Sequence, residues 1–160
     1  MMPEARFELM DVADQPVADH LALLSLLNQY CHLVDRGGVD DIAALFAEDA
    51  VLWPAYQGEA RIEGRTAIRA WFQNYDDNVR SGRRHRRHKI SSPIVKIDGD
   101  AAEAWCYLDS STVLTADNVI QVSAGRYEDK LAKVDGGWLF RERIIFINHI
   151  HTIDAFTEPQ

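Results

Sequence analysis

The first half of the chain carries apolar residues at helical spacing. A stripe that returns every three to four residues predicts an amphipathic helix over Val17–Val34. The members of this stripe are Leu24, Leu27, Cys31 and Val34. The pair Gly37-Gly38 follows, and glycine commonly ends a helix. The same spacing predicts a short second helix over Val39–Phe46 and a third over Thr66–Tyr75.

After Gly82 the pattern changes to the alternation that is typical of strands. Four long runs of this kind are predicted as strands: His85–Ile97, Ala101–Leu114, Val119–Val134 and Trp138–Ile150. The segments between them are predicted as hairpin turns, two of them because Asp-Gly tolerates positive φ. These turns are Asp98-Gly99-Asp100, Ala116-Asp117-Asn118 and Asp135-Gly136-Gly137. Upstream, Ala50–Trp53 is predicted as a shorter strand that Pro54 ends, and Gly58–Gly64 as a turn with a short strand.

Helices followed by long strands predict an α+β fold, with three N-terminal helices packed on one face of a curved sheet. The chain has 160 residues, which is about one domain. We expect residues 1–16 to form a flexible N-terminal arm and residues 17–160 to form the domain.

Composition narrows the function classes. The formal net charge is −8, which argues against a general nucleic-acid binder. The N-terminus lacks the basic start and apolar stretch of a signal peptide, and the chain lacks the long apolar run of a membrane span. We therefore expect a soluble cytoplasmic protein. Cys31 and Cys106 provide neither a disulfide framework nor metal-ligand spacing, and both are expected in the core.

One segment is strongly basic in this acidic chain. Arg80–Lys89 contains six Lys or Arg residues. A phosphate or nucleic-acid patch is conceivable, but a solvated strand edge or a contact with an acidic partner subunit fits better. An anionic substrate attracted to the mouth of a cavity is a third interpretation. Strand alternation places Arg86 and His88 on one face, so Arg86 is expected near such a mouth.

Three residues carry the candidate chemistry. Tyr30 and Asp35 lie near the end of the first predicted helix, and His88 lies in the first long strand. An Asp that orients a His next to a Tyr hydroxyl can remove a proton from carbon and stabilise the resulting anion. His149 and His151 could in principle bind a metal ion, but no third ligand is evident and we predict no metal site.

Several short motifs, in this order, resemble the NTF2-like superfamily and within it the SnoaL-like branch. They are Tyr30-x-x-x-x-Asp35, Leu45-Phe46-Ala47-Glu48-Asp49-Ala50, Ile62-Glu63-Gly64-Arg65-Thr66-Ala67-Ile68 and Val134-Asp135-Gly136-Gly137-Trp138-Leu139-Phe140. The resemblance implies a cystatin-like cone, in which a strongly curved mixed, mainly antiparallel sheet encloses a pocket. Such folds serve both enzymes and non-catalytic subunits, so the fold alone does not give the function.

The candidate residues resemble those of the scytalone dehydratases and the bile acid 7α-dehydratases. In both groups an Asp that ends the first helix pairs with a His, and Asp35 and His88 match these positions. Tyr30 matches the Tyr of the bile acid enzymes, and Asp109 in Tyr107-Leu108-Asp109 matches a further Asp. The scytalone enzymes also have a His on the strand of Asp109 and a Ser/Asn pair on the next strand, near Gly125 and Tyr127 here, and these are not matched.

The resemblance implies a lyase that eliminates water and needs no metal or organic cofactor. Asp35 would hold His88, His88 would remove the proton, Tyr30 would donate to the enolate oxygen and Asp109 would protonate the leaving hydroxyl. The expected substrate is a hydrophobic cyclic molecule such as a steroid, terpenoid, polyketide or aromatic-pathway intermediate. Candidate substrate-binding residues are Trp53, Tyr56, Trp71, Arg86, Tyr107 and Phe146.

Two alternatives remain open. Leu52-Trp53-Pro54 and Arg141-Glu142-Arg143 are similar to sequences of the small subunits of ring-hydroxylating dioxygenases, which support an iron-bearing partner. The same fold also includes isomerases and small-ligand binding proteins. In each case we expect a homodimer or homotrimer, because the broad outer sheet face of this fold commonly packs against another copy.

Overall fold

A computed structural model describes residues 7–11 and 13–154 of the protein. The helices of this part are α1 Val17–Arg36, α2 Val39–Ala44 and α3 Arg65–Asn78. Its strands are β1 Phe46–Pro54, β2 Ile62–Glu63, β3 Arg83–Asp98, β4 Ala101–Leu114, β5 Val119–Val134 and β6 Gly137–Ile153. Single 3₁₀ turns lie at Ala55–Gln57 and Arg80–Gly82.

The strands form one mixed sheet in the order β2-β1-β6-β5-β4-β3. Only β1 and β6 pair in parallel among the described strands, and all other pairs are antiparallel. The predicted α+β fold with a mainly antiparallel sheet is therefore confirmed. Because β3 is an edge strand, its outer side is free to meet α1, and this contact builds the site described below.

The hairpin turns have the backbone that their sequences predict. Gly99 and Asn118 have φ values of 59°, and Asp135 and Gly136 have φ values of 51° and 84°. The largest difference from the predicted boundaries lies between α2 and β1: α2 ends at Ala44 rather than Phe46, and β1 begins at Phe46 rather than Ala50. Phe46 pairs with Phe140 of β6, so a tertiary contact converts the end of the predicted helix into strand.

The core lies between α1, α3 and the concave face of the sheet. The apolar side of α1 is buried there through Leu23, Leu27, Tyr30 and Val34. Helix α3 adds Ile68 and Phe72. Asp19 fixes the start of α1 to the far end of the sheet, since its Oδ1 accepts from Lys133 Nζ and Trp138 Nε1, each at 2.8 Å.

A β-bulge in β6 shapes the sheet near its centre. Ala124 pairs with His149 whereas Gly125 pairs with Ile147, so β6 contains one extra residue at this point. A Cβ atom at position 125 would lie 1.9 Å from the carbonyl oxygen of Phe146, which only glycine avoids. The bulge shifts the alternation, and Ile150 consequently faces the same cavity as Ile147.

The predicted arm makes contacts in its described part. The ring of Phe7 lies edge-on against Trp105 at 5.5 Å, and Gln15 Oε1 accepts from the Ile97 backbone N–H at 3.2 Å. Residues 1–6 and 12 of the arm and 155–160 of the predicted domain lie outside the described residues. In the described chain, no helix combines the length and the apolar character that crossing a bilayer requires.

Candidate active site

Asp35 and His88 meet where the last turn of α1 lies against edge strand β3. His88 Nδ1 and Asp35 Oδ1 are 2.6 Å apart. The backbone N–H of His88 also donates to both carboxylate oxygens, at 3.2 and 3.0 Å. This strand N–H points away from β4 and is available because β3 is an edge strand. Asp35 thus fixes both the imidazole and the strand that carries it, and an Nδ1–H tautomer leaves Nε2 as the acceptor.

His88 lies on the wall of a cavity of about 270 Å³ between α1, α3 and the concave sheet face. Asp35 is not among the residues that line this cavity and therefore sits behind His88. The two side chains are 14% and 18% exposed, respectively. A carboxylate behind an imidazole that lines a cavity is the arrangement of a general base.

The carboxyl of Asp35 is held ionised. Burial alone raises its pKa, but hydrogen bonds from the ring and backbone of His88 outweigh that effect. The charge of Arg86, and that of His88 whenever its ring is protonated, act in the same direction, so the pKa of Asp35 lies below its usual range. The carboxylate can therefore stabilise an imidazolium as it forms.

Tyr30 lines the same cavity and is 2% exposed. Its ring packs edge-on against Phe46, Phe72 and Phe140. Burial raises the pKa of Tyr30, an effect that the nearby charge of Arg143 opposes. The hydroxyl therefore stays protonated and can act as a hydrogen-bond donor, which is the part that the sequence analysis assigns to it.

Arg86 also lines the cavity, but its guanidinium binds backbone. Nε and Nη2 donate to the Asp35 carbonyl oxygen at 2.9 and 2.5 Å. Nη1 donates to the carbonyl oxygens of Arg80 and Arg83 at 3.2 and 3.0 Å. Arg86 therefore joins the C-terminus of α1 to the start of β3, and this connection holds Asp35 opposite His88.

One wall of the cavity is polar, and the sequence analysis did not identify it. Ser110 lies directly beside His88 in the sheet, and Ser123 lies beside Ser110 on the next strand. The two hydroxyl oxygens are 2.6 Å apart. Further along, Arg83 Nη1 donates to Gln121 Oε1 at 2.6 Å. This row of polar side chains follows from the pairing register of adjacent strands. Alternation within a single strand does not determine that register, so the sequence analysis could not find the row.

The remaining walls are mainly apolar or aromatic. Tyr56 and Trp71 lie in them, as the sequence analysis expected. Tyr75 and Tyr127, which it did not select, lie there too. Tyr75 follows Trp71 by one helical turn on α3, and the two rings are stacked at 5.8 Å.

Besides Asp35, which lies behind His88, four predicted site residues lie outside the cavity, and we correct that part of the prediction. On β4 the buried, inward positions are even-numbered, so Tyr107 and Asp109 are exposed on the outer face. Phe146 belongs to the same outer row as Tyr107 through Arg126. Trp53 packs on Phe146 at 6.2 Å and donates from Nε1 to the Gly58 carbonyl.

A second ion pair lies beneath the cavity and was missed as well. Arg143 Nε and Nη2 donate to the two oxygens of Asp129 at 2.7 and 2.8 Å, and both side chains are 0% exposed. The guanidinium also lies 4.0 to 4.2 Å from the rings of Tyr30, Tyr127 and Phe140. It therefore orders the aromatic floor of the cavity.

The cysteines and the paired histidines lie outside this chemistry. Burial raises the pKa of Cys31 to about 11 and that of Cys106 to about 12, so both thiols are protonated core groups. His149 and His151 are exposed on β6. Within residues 7–11 and 13–154, no three His, Cys, Asp or Glu side chains are placed to hold a metal ion.

A curved mixed sheet with helices on its concave face and a cavity between them defines an NTF2-like protein. Within that class the chain belongs to the SnoaL-like domain family, whose model matches residues 15–144. No curated protein sequence matches the chain.

Three solved structures illustrate the likeness. A candidate aromatic ring hydroxylase from Novosphingobium aromaticivorans has 25% identity and a TM-score of 0.73, over 88% of this chain and 96% of its own. A candidate scytalone dehydratase from the same species has 21% identity and a TM-score of 0.74, over 89% and 91%. A type 2 hexachlorocyclohexane dehydrochlorinase has 16% identity and a TM-score of 0.74, over 90% and 95%. At 21% and 16% identity, the last two similarities support the fold alone.

Proposed function

We propose that this protein is a cofactor-independent lyase that eliminates water from a small, hydrophobic cyclic molecule. The observation that carries the proposal is the 2.6 Å contact between His88 and Asp35, with His88 on the cavity wall and Asp35 behind it. A general base so placed removes a proton from bound substrate rather than from solvent.

The first step breaks a C–H bond next to a carbonyl group. Nε2 of His88 takes the proton, and Asp35 stabilises the imidazolium through Nδ1–H. The electron pair moves onto the carbonyl oxygen and forms an enolate. The protonated Tyr30 hydroxyl, which lines the same cavity, donates to this oxygen.

The second step expels the hydroxyl from the β carbon. Asp109 was predicted to protonate it, but that side chain lies on the opposite face of the sheet. Among the described residues no Asp or Glu lines the cavity. The His88 imidazolium therefore returns its proton to the departing oxygen, and the enolate collapses to a conjugated double bond and water. One base that serves both steps requires the proton and the hydroxyl to leave from the same face of the ring. If the proton returns to carbon instead, the same residues catalyse isomerisation.

The cavity restricts the substrate. Its volume of about 270 Å³ is near the lower end of ligand pockets, which span about 300–1,000 Å³. This favours the compact members of the predicted class, such as aromatic-pathway or small polyketide intermediates, over a complete steroid. Trp71 and Tyr75 supply an aromatic wall, and Ser110 and Ser123 supply hydroxyl groups for a ring oxygen.

The test measures proton abstraction separately from elimination. Wild type is incubated in D₂O with one- and two-ring cyclic ketones that carry a β-hydroxyl. Mass spectrometry follows deuterium at the α carbon, and ultraviolet absorbance follows the enone. We expect His88→Asn to lower both rates by about 10²–10⁴-fold, the usual contribution of a general base. His149→Asn, which changes an exposed His on β6, is the matched control.

Tyr30→Phe sharpens the same test. It removes only the hydroxyl, so we expect a fall of about tenfold or more, with Tyr107→Phe on the outer sheet face as its control. A ketone that binds in the cavity but shows neither exchange nor water loss with wild type contradicts the lyase proposal and supports a ligand-binding protein.

A second candidate is a non-catalytic subunit of a ring-hydroxylating oxygenase. It is favoured by the 25% identity to the candidate aromatic ring hydroxylase over 88% of this chain. The complex isolated from the native cell is analysed for iron and for subunit masses. A stoichiometric iron–sulfur partner supports this candidate, whereas a homodimer or homotrimer without one, as we propose, contradicts it.

A further inference from the structure

The cavity that holds His88 also contains an arginine whose charge no described residue neutralises. Arg83 begins β3 and lines the cavity. Its guanidinium makes one hydrogen bond to a described residue, from Nη1 to the neutral Gln121 Oε1 at 2.6 Å. It forms no ion pair with any described residue, and no described Asp or Glu lines the cavity. Because a guanidinium has five N–H donors, most of those of Arg83 remain available to a ligand.

The other arginine in the described lining, Arg86, is fully used by the protein. Its Nε and Nη2 donate to the carbonyl oxygen of Asp35, and its Nη1 donates to the carbonyl oxygens of Arg80 and Arg83. Arg86 therefore fixes the backbone from which the Arg83 side chain extends. Of the two arginines, Arg83 is the one that can bind a ligand.

The polar groups around Arg83 offer further hydrogen-bond donors. A guanidinium only donates, so the amide oxygen of Gln121 faces Arg83, and its Nε2 group makes no hydrogen bond with a described residue. The hydroxyl of Tyr56 accepts from Gln57 Nε2 at 3.3 Å, which leaves its own O–H to donate. The hydroxyl of Tyr75 makes no hydrogen bond with any described residue. All of these side chains line the cavity.

The charge of Arg83 reaches both tyrosine hydroxyls. Burial raises the pKa of Tyr75, and the positive charge of Arg83 is the strongest influence in the opposite direction. The same charge acts on the hydroxyl of Tyr56. One cation and two hydroxyl groups therefore lie close together in the cavity wall, and no carboxylate of a described residue lies there to accept from them.

Strand register sets the separation between these donors and His88. His88, Ser110 and Ser123 form one row across the sheet. Gln121 precedes Ser123 by two residues on β5, so the two side chains lie on the same face and both line the cavity. Two residues of a strand span roughly 7 Å. A single six-membered ring with a carboxylate opposite its carbonyl group is long enough to bridge that separation.

We propose that Arg83 and Gln121 form a subsite for a carboxylate group on the ring of the substrate, while His88 acts at the other side of the ring. The planar guanidinium fork matches two carboxylate oxygens, and the amide N–H groups of Gln121 donate to one of them. The hydroxyls of Tyr56 and Tyr75 complete the set of donors. The inference deepens the proposed function and rests on it, because it narrows the substrate class to compact ring carboxylates.

The hydrogen bond between Arg83 and Gln121 also has a simpler interpretation, as a connection between β3 and β5 that only stabilises the sheet. That interpretation accounts for the 2.6 Å contact but leaves the surrounding donors without a function. It predicts that Arg83→Gln lowers the unfolding temperature and that the wild type binds charged and neutral ligands equally. The two interpretations are therefore separable.

The experiment compares two ligands of the full chain. One is a cyclohexanone with a carboxylate on the ring carbon opposite the ketone, and the other is the corresponding neutral carboxamide. Calorimetry gives the Kd of each, and mass spectrometry follows deuterium uptake beside the ketone in D₂O. We expect wild type to bind the carboxylate about tenfold or more tightly than the carboxamide, and Arg83→Gln to remove this preference. Arg83→Lys keeps the charge but loses the fork, so it should retain part of the preference.

Two further variants control the measurement. Arg141→Gln removes the same charge from an exposed position on β6 outside the cavity and should keep the preference. Gln121→Glu places a carboxylate beside Arg83 within the protein and should abolish the preference without removing the arginine. Thermal unfolding first shows that each variant is folded. Equal binding of the two ligands by wild type, or an unchanged preference in folded Arg83→Gln or Gln121→Glu, overturns the proposal.

The two readouts separate this inference from the lyase proposal. A preference for the carboxylate that depends on Arg83, without deuterium uptake that depends on His88, supports the subsite and contradicts the lyase. Deuterium uptake that depends on His88, with equal binding of the charged and the neutral ligand, supports the general base and contradicts the carboxylate subsite.

Discussion

Two contacts between a carboxylate and a basic side chain in this molecule have similar lengths and different surroundings. Asp35 and His88 are 2.6 Å apart at the edge of the sheet, and their side chains are 14% and 18% exposed. Asp129 and Arg143 are 2.7 and 2.8 Å apart at its centre, and both side chains are 0% exposed. Distance alone therefore does not separate a candidate catalytic pair from a structural one.

The two contacts differ in the chemistry of the basic partner, Arg143 or His88, and in the access of that partner to the cavity. Arginine does not release its proton in proteins, so Arg143 can order neighbouring rings but cannot act as a base. Histidine changes charge near neutral pH, and His88 faces the cavity. The centre of the sheet thus supplies a rigid charged floor, and the edge supplies the group that can exchange a proton.

Removing one partner of the buried Asp129–Arg143 pair should have the largest effect on the stability of the folded protein. Asp129→Ala leaves the Arg143 charge buried without compensation, and we expect a loss of about 3–5 kcal/mol in the free energy of unfolding. Urea denaturation measures it, with Asp109→Ala at an exposed carboxyl as the control. The double variant Asp129→Leu/Arg143→Met should recover most of the loss, and a single variant as stable as wild type would contradict a structural role for the pair.

The corresponding change in the Asp35–His88 pair, at the edge of the sheet, should affect activity more than stability. In Asp35→Asn the amide donates to Nδ1 and places the ring proton on Nε2, which can no longer accept one. We expect the deuterium exchange rate to fall by about 10²–10⁴-fold. Asp109→Asn should retain full activity. The opposite outcome is that Asp35→Asn loses as much unfolding free energy as Asp129→Ala while its folded fraction still exchanges substrate deuterium at the wild-type rate. That outcome would assign the Asp35–His88 pair a structural role instead of a catalytic one.

The smallest expected effect is a change in the free energy of unfolding with pH in the acid range. The pKa of Asp35 is lower in the folded protein than its ordinary value of about 3.9. The stability that this group contributes is therefore complete above that value and is lost as pH falls through the lower, folded pKa. The difference in unfolding free energy between wild type and Asp35→Asn should shrink over this acid range. A difference that stays constant as the pH falls through this range would contradict the lowered pKa.

Much of the fold could be predicted because its signals are local. The stripe of α1 and the alternation of β3 to β6 each lie within one element, and the Asp-Gly turns set the hairpins between them. The pairing of Asp35 with His88 was expected from the resemblance of their positions to known dehydratases. The boundary between α2 and β1 was placed wrongly because it depends on the distant partner Phe140.

The hardest feature to predict was which side chains of each strand face the cavity. Tyr107 and Asp109 were expected in the cavity, whereas their neighbours Leu108 and Ser110 line it. Alternation shows that odd and even positions of β4 face opposite ways, but not which set faces inward. That choice follows from the register with β3 and β5, which places Ser110 between His88 and Ser123.

By itself, the sequence determined the order of the elements and the α+β class, because periodicity and turn chemistry are properties of short segments. Tyr30, Asp35 and His88 were selected as candidates by the resemblance of their positions to known dehydratases. Only the tertiary structure decided that Ser110 faces the cavity while Asp109 does not, that Arg86 binds the end of α1, and that Arg143 is buried with Asp129. These features depend on strand register, on the bulge at Gly125 and on contacts between residues far apart in the chain, which no local pattern encodes.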